Sequence, residues 1–185
     1  WQLSNYEGVA FSWGKRDCRP YAGGYSAWAV GGGADGAALA CGSEYPVESR
    51  SWMAYGPFSL AGATAAELRF QAWVDSESEY DLFFWGASTD GDSFSGWNLS
   101  GSSREWAERV LDLADVPNMG NLLGQDQVWI ALVFDSDGSM VYPEGAHVDN
   151  LVIRMKTGSG SAAKTVSAGI GAGRQLLMPA QYSLP

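Results

Sequence analysis

Apolar and polar positions alternate along much of this chain, in short segments separated by turn-forming residues. In the segment 67–74, the apolar residues Leu68, Phe70, Ala72 and Val74 alternate with charged, polar or aromatic ones. A period of two places these four side chains on one face of an extended strand. The segment is therefore predicted to be a β-strand with one face in the core.

Six further segments show alternating or continuous apolar character, at 25–30, 51–55, 80–87, 105–113, 128–134 and 147–154. Segment 128–134 is apolar on both faces, as a central strand would be. Glycine, serine and aspartate cluster between the segments, at 31–33, 89–92, 101–103 and 135–138, and these residue types form tight turns. Seven or more strands without a convincing amphipathic helix predict an all-β sandwich or barrel, with at most short helical turns near 115–120.

The composition agrees with this prediction. The chain has 185 residues, 46% of them hydrophobic and 17% charged, which is typical of a globular domain and not of a disordered chain. It contains 24 glycines together with 9 Trp, 8 Tyr and 7 Phe, a combination that suits short strands and tight turns. We therefore expect one sandwich domain.

The charge balance restricts the classes of partner that the chain is expected to bind. The net charge is −10, which would repel a phosphate backbone, so we expect no nucleic-acid partner, whereas cation binding stays open. The longest strongly apolar run, 128–134, is far shorter than the ~20 residues that span a bilayer, so we expect no membrane insertion.

Two cysteines, Cys18 and Cys41, indicate the compartment. Their spacing matches no zinc pattern, and a single histidine cannot complete four ligands with them. We predict a Cys18–Cys41 disulfide, with two free buried thiols as the alternative, and hence an extracellular or secreted protein.

Catalytic chemistry has little support in the sequence. His147 is the single histidine, so a serine or cysteine nucleophile would have no other imidazole as its base. The 21 acids show no spacing that identifies a glycosidase pair. Two Asp-x-Asp segments, at 90–92 and 135–137, lack the closing glutamate of an EF-hand and are interpreted as turns. We predict that the chain is not an enzyme.

Tryptophans are the residues that suggest ligand binding, because their faces can stack on sugars. Most of the nine lie within strand patterns and are expected in the core. Trp73, on the otherwise polar face of its strand, and Trp97, near a glycine-rich turn, are the two predicted exposed ligand-binding residues.

The chain changes character after the last predicted strand, which divides it into a sandwich at 1–156 and a Gly/Ala/Ser-rich tail at 157–185. The tail contains the bases Lys164 and Arg174, no acid, and several apolar residues that include Leu176 and Leu177. Three alternatives follow: a flexible linker, docking on its own domain, or docking on a neighbouring copy to form chains or filaments.

Several motifs occur in an order that resembles the MAM-like jelly-roll modules attached to secreted immune-inhibitor-A-type bacterial peptidases. The motifs are Asn5-Tyr6-Glu7-Gly8, Gly24-Tyr25-Ser26-Ala27-Trp28, Ser51-Trp52-Met53, Gly56-Pro57-Phe58-Ser59-Leu60, Leu68-Arg69-Phe70, Trp106 ahead of Leu111-Asp112-Leu113, and Gly145-Ala146-His147-Val148-Asp149-Asn150-Leu151-Val152. The resemblance covers the sandwich and not the tail. It implies a two-sheet antiparallel jelly roll that serves as an accessory domain.

The resemblance also implies a structural calcium ion. Asp149 is predicted to share a strand face with Leu151 and Ile153, where a carboxylate must be hydrogen-bonded, neutralised or bound to a metal. In the resembled modules, an acid from the first strand and one from the last strand can share calcium, and Glu7 matches the former. We therefore expect Glu7 and Asp149 as calcium ligands, with a hydrogen-bonded Asp149 as the alternative.

These observations predict a non-catalytic extracellular binding or adhesion module that recognises a cell-surface or matrix glycan or protein. The alternative is a structural subunit that assembles into homo-oligomers through its C-terminal tail.

Overall fold

A computed structural model describes residues 1–5, 11–158, 164–167, 174–175 and 181–183. Ten strands and one short helix form the body of the molecule. They are β1 (Gln2–Asn5), β2 (Ser12–Arg16), β3 (Ser26–Gly32), α1 (Gly33–Gly36), β4 (Arg50–Phe58), β5 (Ala63–Asp75), β6 (Leu82–Ser88), β7 (Ser93–Ser100), β8 (Ala107–Asp112), β9 (Val128–Asp135) and β10 (Gly145–Thr157).

The ten strands form two five-stranded antiparallel sheets in a jelly-roll sandwich. The first sheet has the order β1-β4-β9-β6-β7, and the second has the order β2-β3-β10-β5-β8. Consecutive strands are repeatedly placed in different sheets, so the chain crosses between the layers as it proceeds. The expected all-β sandwich with two antiparallel sheets is confirmed.

The core lies between the sheets and confirms the alternation in β5. Leu68, Phe70 and Val74 are almost fully buried in it. The ring of Phe70 packs edge-on against Phe83 and Trp85 of the first sheet, with centroid distances of 6.1 and 5.9 Å. The polar side chains of β5 point away from the core and form part of the outer face of the second sheet.

All seven predicted segments are strands, but three strands were missed. β1, β2 and β7 are short or rich in serine and glycine, and their apolar residues are too few to show a period. The turn expected at 31–33 is also wrong in part, because β3 continues to Gly32. A Cβ at Gly32 would lie 2.5 Å from the carbonyl oxygen of Trp13, so these glycines let β2 and β3 approach closely.

Three tail segments that the structure describes pair with strands of this same chain. β11 (Lys164–Ser167) pairs antiparallel with β10, β12 (Arg174–Gln175) pairs parallel with β1, and β13 (Gln181–Ser183) pairs parallel with β7. β1 and β7 are the outer strands of the first sheet in the body, so backbone pairing continues past both of its edges.

Candidate ligand-binding groove

A β-bulge in β10 shapes the outer face of the second sheet. The register of β10 against β5 shifts between Asp149 and Val152, and Asn150 has a positive φ of 50°. Asparagine is one of the few residues other than glycine that accept this conformation readily. A bulge bends its strand and redirects the side chains that follow it.

Because of the bulge, the strict alternation predicted for β10 does not continue past Asp149. Before it, Asp149 lies opposite Gln71 on the outer face, and after it Ile153 lies opposite Leu68 in the core. Asp149 and Ile153 were expected on one face, which is wrong because the extra residue reverses the period. Sequence alternation alone could not locate the bulge.

A groove of about 600 Å³ crosses this outer face, and residues of all five strands of the second sheet line it. Its polar and aromatic lining includes Lys15, Tyr25, Gln71, Glu108, Asn150 and Arg154. Volumes of this order are typical of small-molecule sites. The groove therefore presents several hydrogen-bonding groups from different strands to one space.

Most charged groups along the groove are paired with one another. The guanidinium of Arg69 lies 2.6 Å from a carboxylate oxygen of Glu108 and 3.2 Å from one of Glu67. These hydrogen bonds, with Glu67 as the larger contributor, raise the pKa of Arg69. Arg154 lies 3.9 Å from Glu67 and keeps 53% of its side chain exposed. The network fixes the directions of the polar groups on this face.

Two exposed tyrosines lie in or beside the groove. Tyr25 is 54% exposed and lines it, with the Lys15 ammonium 4.2 Å from the centre of its ring. Tyr21 is 48% exposed and packs edge-on against Trp106 at 5.7 Å. Exposed aromatic rings beside hydrogen-bonding groups are the combination that binds the apolar and polar faces of a sugar.

Asp149 holds the segment that carries Tyr21. Its Oδ2 atom accepts hydrogen bonds from the backbone N–H groups of Tyr21 at 2.8 Å and Ala22 at 3.0 Å, and its Oδ1 atom accepts one from Asn150 at 2.7 Å. Asp149 is thus hydrogen-bonded, which was the alternative to its role as a calcium ligand. Its predicted calcium partner, Glu7, lies outside the described residues, and the calcium ion stays a prediction.

Trp73 was expected to be exposed, and this expectation is wrong. The residue lies on the outer face, as its position in β5 predicted, but only 5% of it is exposed. The guanidinium of Arg19 covers its ring at 3.9 Å. The segment that follows β2 folds over one end of the second sheet, and local sequence gives no sign of this cover.

Trp97 is 47% exposed and lies opposite Trp85 in the pairing of β6 with β7. Its exposure agrees with the prediction, but it belongs to the first sheet and does not line the groove on the second. Whether it binds a ligand stays a prediction. Tyr25 and Lys15 were missed as site residues because no pattern marks which strand ends share a groove.

The Cys18–Cys41 disulfide is confirmed, and the stretch that it closes contains Trp28 and Arg19, which lie close to His147. The imidazole is fully buried, stacked on Trp28 at 5.5 Å and edge-on to Trp73 at 5.8 Å. Burial, together with the nearby charges of Arg19 and Arg16, lowers the pKa of His147 to about 3. The ring is therefore neutral at physiological pH and has no access to the groove.

Three acids from two loops, the β5–β6 loop and the β9–β10 loop, meet at another part of the sandwich. Oxygens of Glu77, Asp81 and Asp137 lie within 4.8 Å of one another. Asp81 accepts hydrogen bonds from the Tyr45 hydroxyl and from the backbone N–H of Asp137, and burial raises its pKa. Glu77 accepts a hydrogen bond of 2.8 Å from Ser139. These contacts tie the two loops together, and the cluster was missed because Asp137 is far from the other two acids in sequence.

The Asp-x-Asp segments form turns, as interpreted. The Oδ1 atom of Asp90 accepts hydrogen bonds from the N–H groups of Asp92 at 2.8 Å and Ser93 at 2.9 Å. Asp137 does the same with Ser139 at 2.8 Å. These contacts are the local side-chain bonds by which aspartate stabilises turns.

Comparison with known proteins adds a distant structural likeness. No protein-family model and no curated protein matches the chain. Among solved structures, it is similar to the enzymatically active domain of bacteriophage CBA120 tailspike protein 4, with a TM-score of 0.45 and 12% sequence identity over 84% of this chain. The match spans 19% of the tailspike chain. Within the described part of the molecule, no helix is both long and apolar enough to cross a bilayer.

Proposed function

We propose that this chain is a non-catalytic extracellular binding module that holds a glycan in the groove on the second sheet. The observation that carries the proposal is the exposed ring of Tyr25 at a groove that several hydrogen-bonding side chains line. A sugar offers hydroxyl groups to Gln71 and Asn150 and an apolar ring face to the tyrosine.

A glycan fits this groove better than a protein surface does. The hydrogen-bonding groups of the lining point into a depression, where a narrow polar chain reaches them and a flat protein surface does not. Protein-binding patches are instead centred on buried apolar anchors, and Tyr25 is the one large exposed hydrophobic residue in this lining.

An extracellular location is supported by the disulfide, since such bonds persist in oxidising compartments. The resemblance to MAM-like accessory modules points the same way. We infer that the module supplies attachment to a larger secreted protein or to a surface, and that the chemistry is done elsewhere.

The test is binding to soluble polysaccharides by retardation in native gels. The panel contains neutral xylan, glucomannan and galactan, and anionic polygalacturonate and carrageenan. Tyr25→Ala is expected to weaken the retardation about fivefold or more, because stacking on an aromatic ring contributes on the order of 1–3 kcal/mol in the case of bases. Tyr80→Ala is the matched control, since Tyr80 is 62% exposed and does not line the groove.

Trp97→Ala separates the two candidate surfaces. If it abolishes retardation while Tyr25→Ala has no effect, the ligand binds at the first sheet and the groove assignment is wrong. Absence of retardation by every polysaccharide of the panel would contradict glycan binding altogether.

As a second candidate, we propose self-assembly through the tail. The supporting observation is that β12 and β13 add to the two outer strands of the first sheet. A strand added at an edge forms the same backbone hydrogen bonds whether it comes from its own chain or from a neighbour, so exchange between copies costs little.

A further inference from the structure

The charged groups that line the groove differ in whether they have partners. Arg69 is bound to Glu108 and Glu67, and the carboxylate of Asp149 accepts three backbone hydrogen bonds. Arg154 has Glu67 within 4.0 Å. Every carboxylate of the lining is therefore already engaged.

Lys15 is the exception. It is exposed, and among the described residues it forms no ion pair; its ammonium lies over the ring of Tyr25 at 4.2 Å. In a chain of net charge −10, with 21 acids to 11 bases, an unpaired cation inside a groove is unexpected by composition. An ammonium over an exposed aromatic face is also only weakly held, so it is available to a stronger anionic partner.

We propose that the ligand of the groove carries an anionic group, a carboxylate or a sulfate ester on a sugar, which pairs with Lys15. This inference rests on the proposed glycan-binding function. The ammonium would bind the anion while the adjoining sugar packs beside Tyr25, so charge and ring are recognised together. A charge-assisted hydrogen bond of this kind is about twice as strong as a neutral one.

The overall negative charge of the molecule does not prevent this contact at physiological salt. Exposed charges are screened beyond about 8 Å, so distant acids repel the ligand weakly whereas the contact with Lys15 survives. The same screening predicts that affinity for the anionic sugar falls as salt rises well above physiological concentration.

The experiment is titration of the full chain with polygalacturonate and with its carboxyl-reduced form, which has the same linkage and no charge. A parallel pair, carrageenan and its desulfated form, distinguishes sulfate from carboxylate as the anion. We expect at least about tenfold tighter binding of one anionic polymer than of its neutral counterpart.

Three variants assign the preference to Lys15. Lys15→Gln is expected to remove it, so that the anionic and neutral polymers of a pair bind equally, whereas Lys15→Arg keeps the charge and retains the preference. Lys156→Gln is the control, because it removes the same charge from an exposed position of β10 that does not line the groove.

Equal binding of the anionic and neutral polymers by the unmodified chain would overturn this inference and leave glycan binding intact. An anionic preference that survives in Lys15→Gln would overturn it as well. Failure to bind any of the four polymers, or any other polysaccharide of the panel, would overturn the proposed function together with the inference.

Discussion

At the scale of single residues, His147 shows how burial decides the chemistry of a side chain. Its ring lies between Trp28 and Trp73, and its Nδ1 atom is 3.2 Å from the hydroxyl of Ser26. Its Nε2 atom has no hydrogen-bond partner among the described residues. Since a charge there would be desolvated and close to two arginines, the folded protein keeps the imidazole neutral.

This burial predicts an acid-dependent loss of stability. The pKa of His147 is about 3 when folded and about 6.5 when unfolded, so between these values the unfolded chain binds more protons. Stability therefore falls as the pH drops below about 6.5, by up to about 1.4 kcal/mol per pH unit from this group. Urea unfolding at several pH values between about 7 and 4.5 measures the effect.

His147→Gln is the comparison for this prediction, because glutamine is polar, of similar size and does not titrate. The other acids and bases are common to both proteins, so the difference between the two pH dependences isolates the imidazole. Parallel curves for the two proteins would show that His147 does not carry the acid sensitivity.

At the scale of elements, the segments before and after β3, which the Cys18–Cys41 disulfide joins, cover one end of the outer face of the second sheet. Arg16 donates hydrogen bonds to the carbonyl oxygens of Gly36 at 2.8 Å and Leu39 at 2.6 Å. Arg19 forms an ion pair with the buried Glu144. These contacts explain why Trp73 and His147 are buried on a face that is elsewhere open.

Reduction of Cys18–Cys41 should lower the melting temperature by several degrees. The bond closes a loop with a sequence separation of 23, for which loop-closure entropy gives roughly 3 kcal/mol. We also expect a red shift of tryptophan fluorescence in the reduced, folded protein, because Trp73 loses its cover. A melting curve unchanged by reductant, with both thiols shown to be free, would contradict this prediction.

The strands show which elements a sequence specifies on its own. β5 and β9 were predicted from their patterns because the core demands apolar side chains at regular intervals. The bulge of β10 was not, because a single residue with positive φ leaves the composition unchanged while it reverses the faces that follow.

At the scale of the whole molecule, the tail determines how the first sheet ends. β12 and β13 pair with the backbone of β1 and β7 at the two edges of this sheet. Without them, these edges would be free to pair with another chain. Removal of residues 160–185 should therefore lower the melting temperature, since these hydrogen bonds are lost. Circular dichroism melts of the intact and truncated chains measure the change.

Solution mass by light scattering tests the second candidate with the same two proteins. If the tail is exchanged between copies, the intact chain increases in mass with concentration and the truncated chain does not. An intact chain that stays monomeric at high concentration would contradict self-assembly, and equal melting temperatures would contradict docking of the tail on its own domain.

The sequence by itself determined the all-β class, the seven main strands and the disulfide, because alternation, turn residues and paired cysteines are local signals. It did not determine the site. Lys15, Tyr25 and Arg154 come from three parts of the chain, and only the pairing of β2, β3, β5, β8 and β10 brings them to one groove. The exposure of Trp73 was likewise decided by a distant segment that packs over it. Tertiary structure decides such features because contacts and burial depend on which distant segments pack together. The periodicity of apolar residues along the chain does not specify this packing.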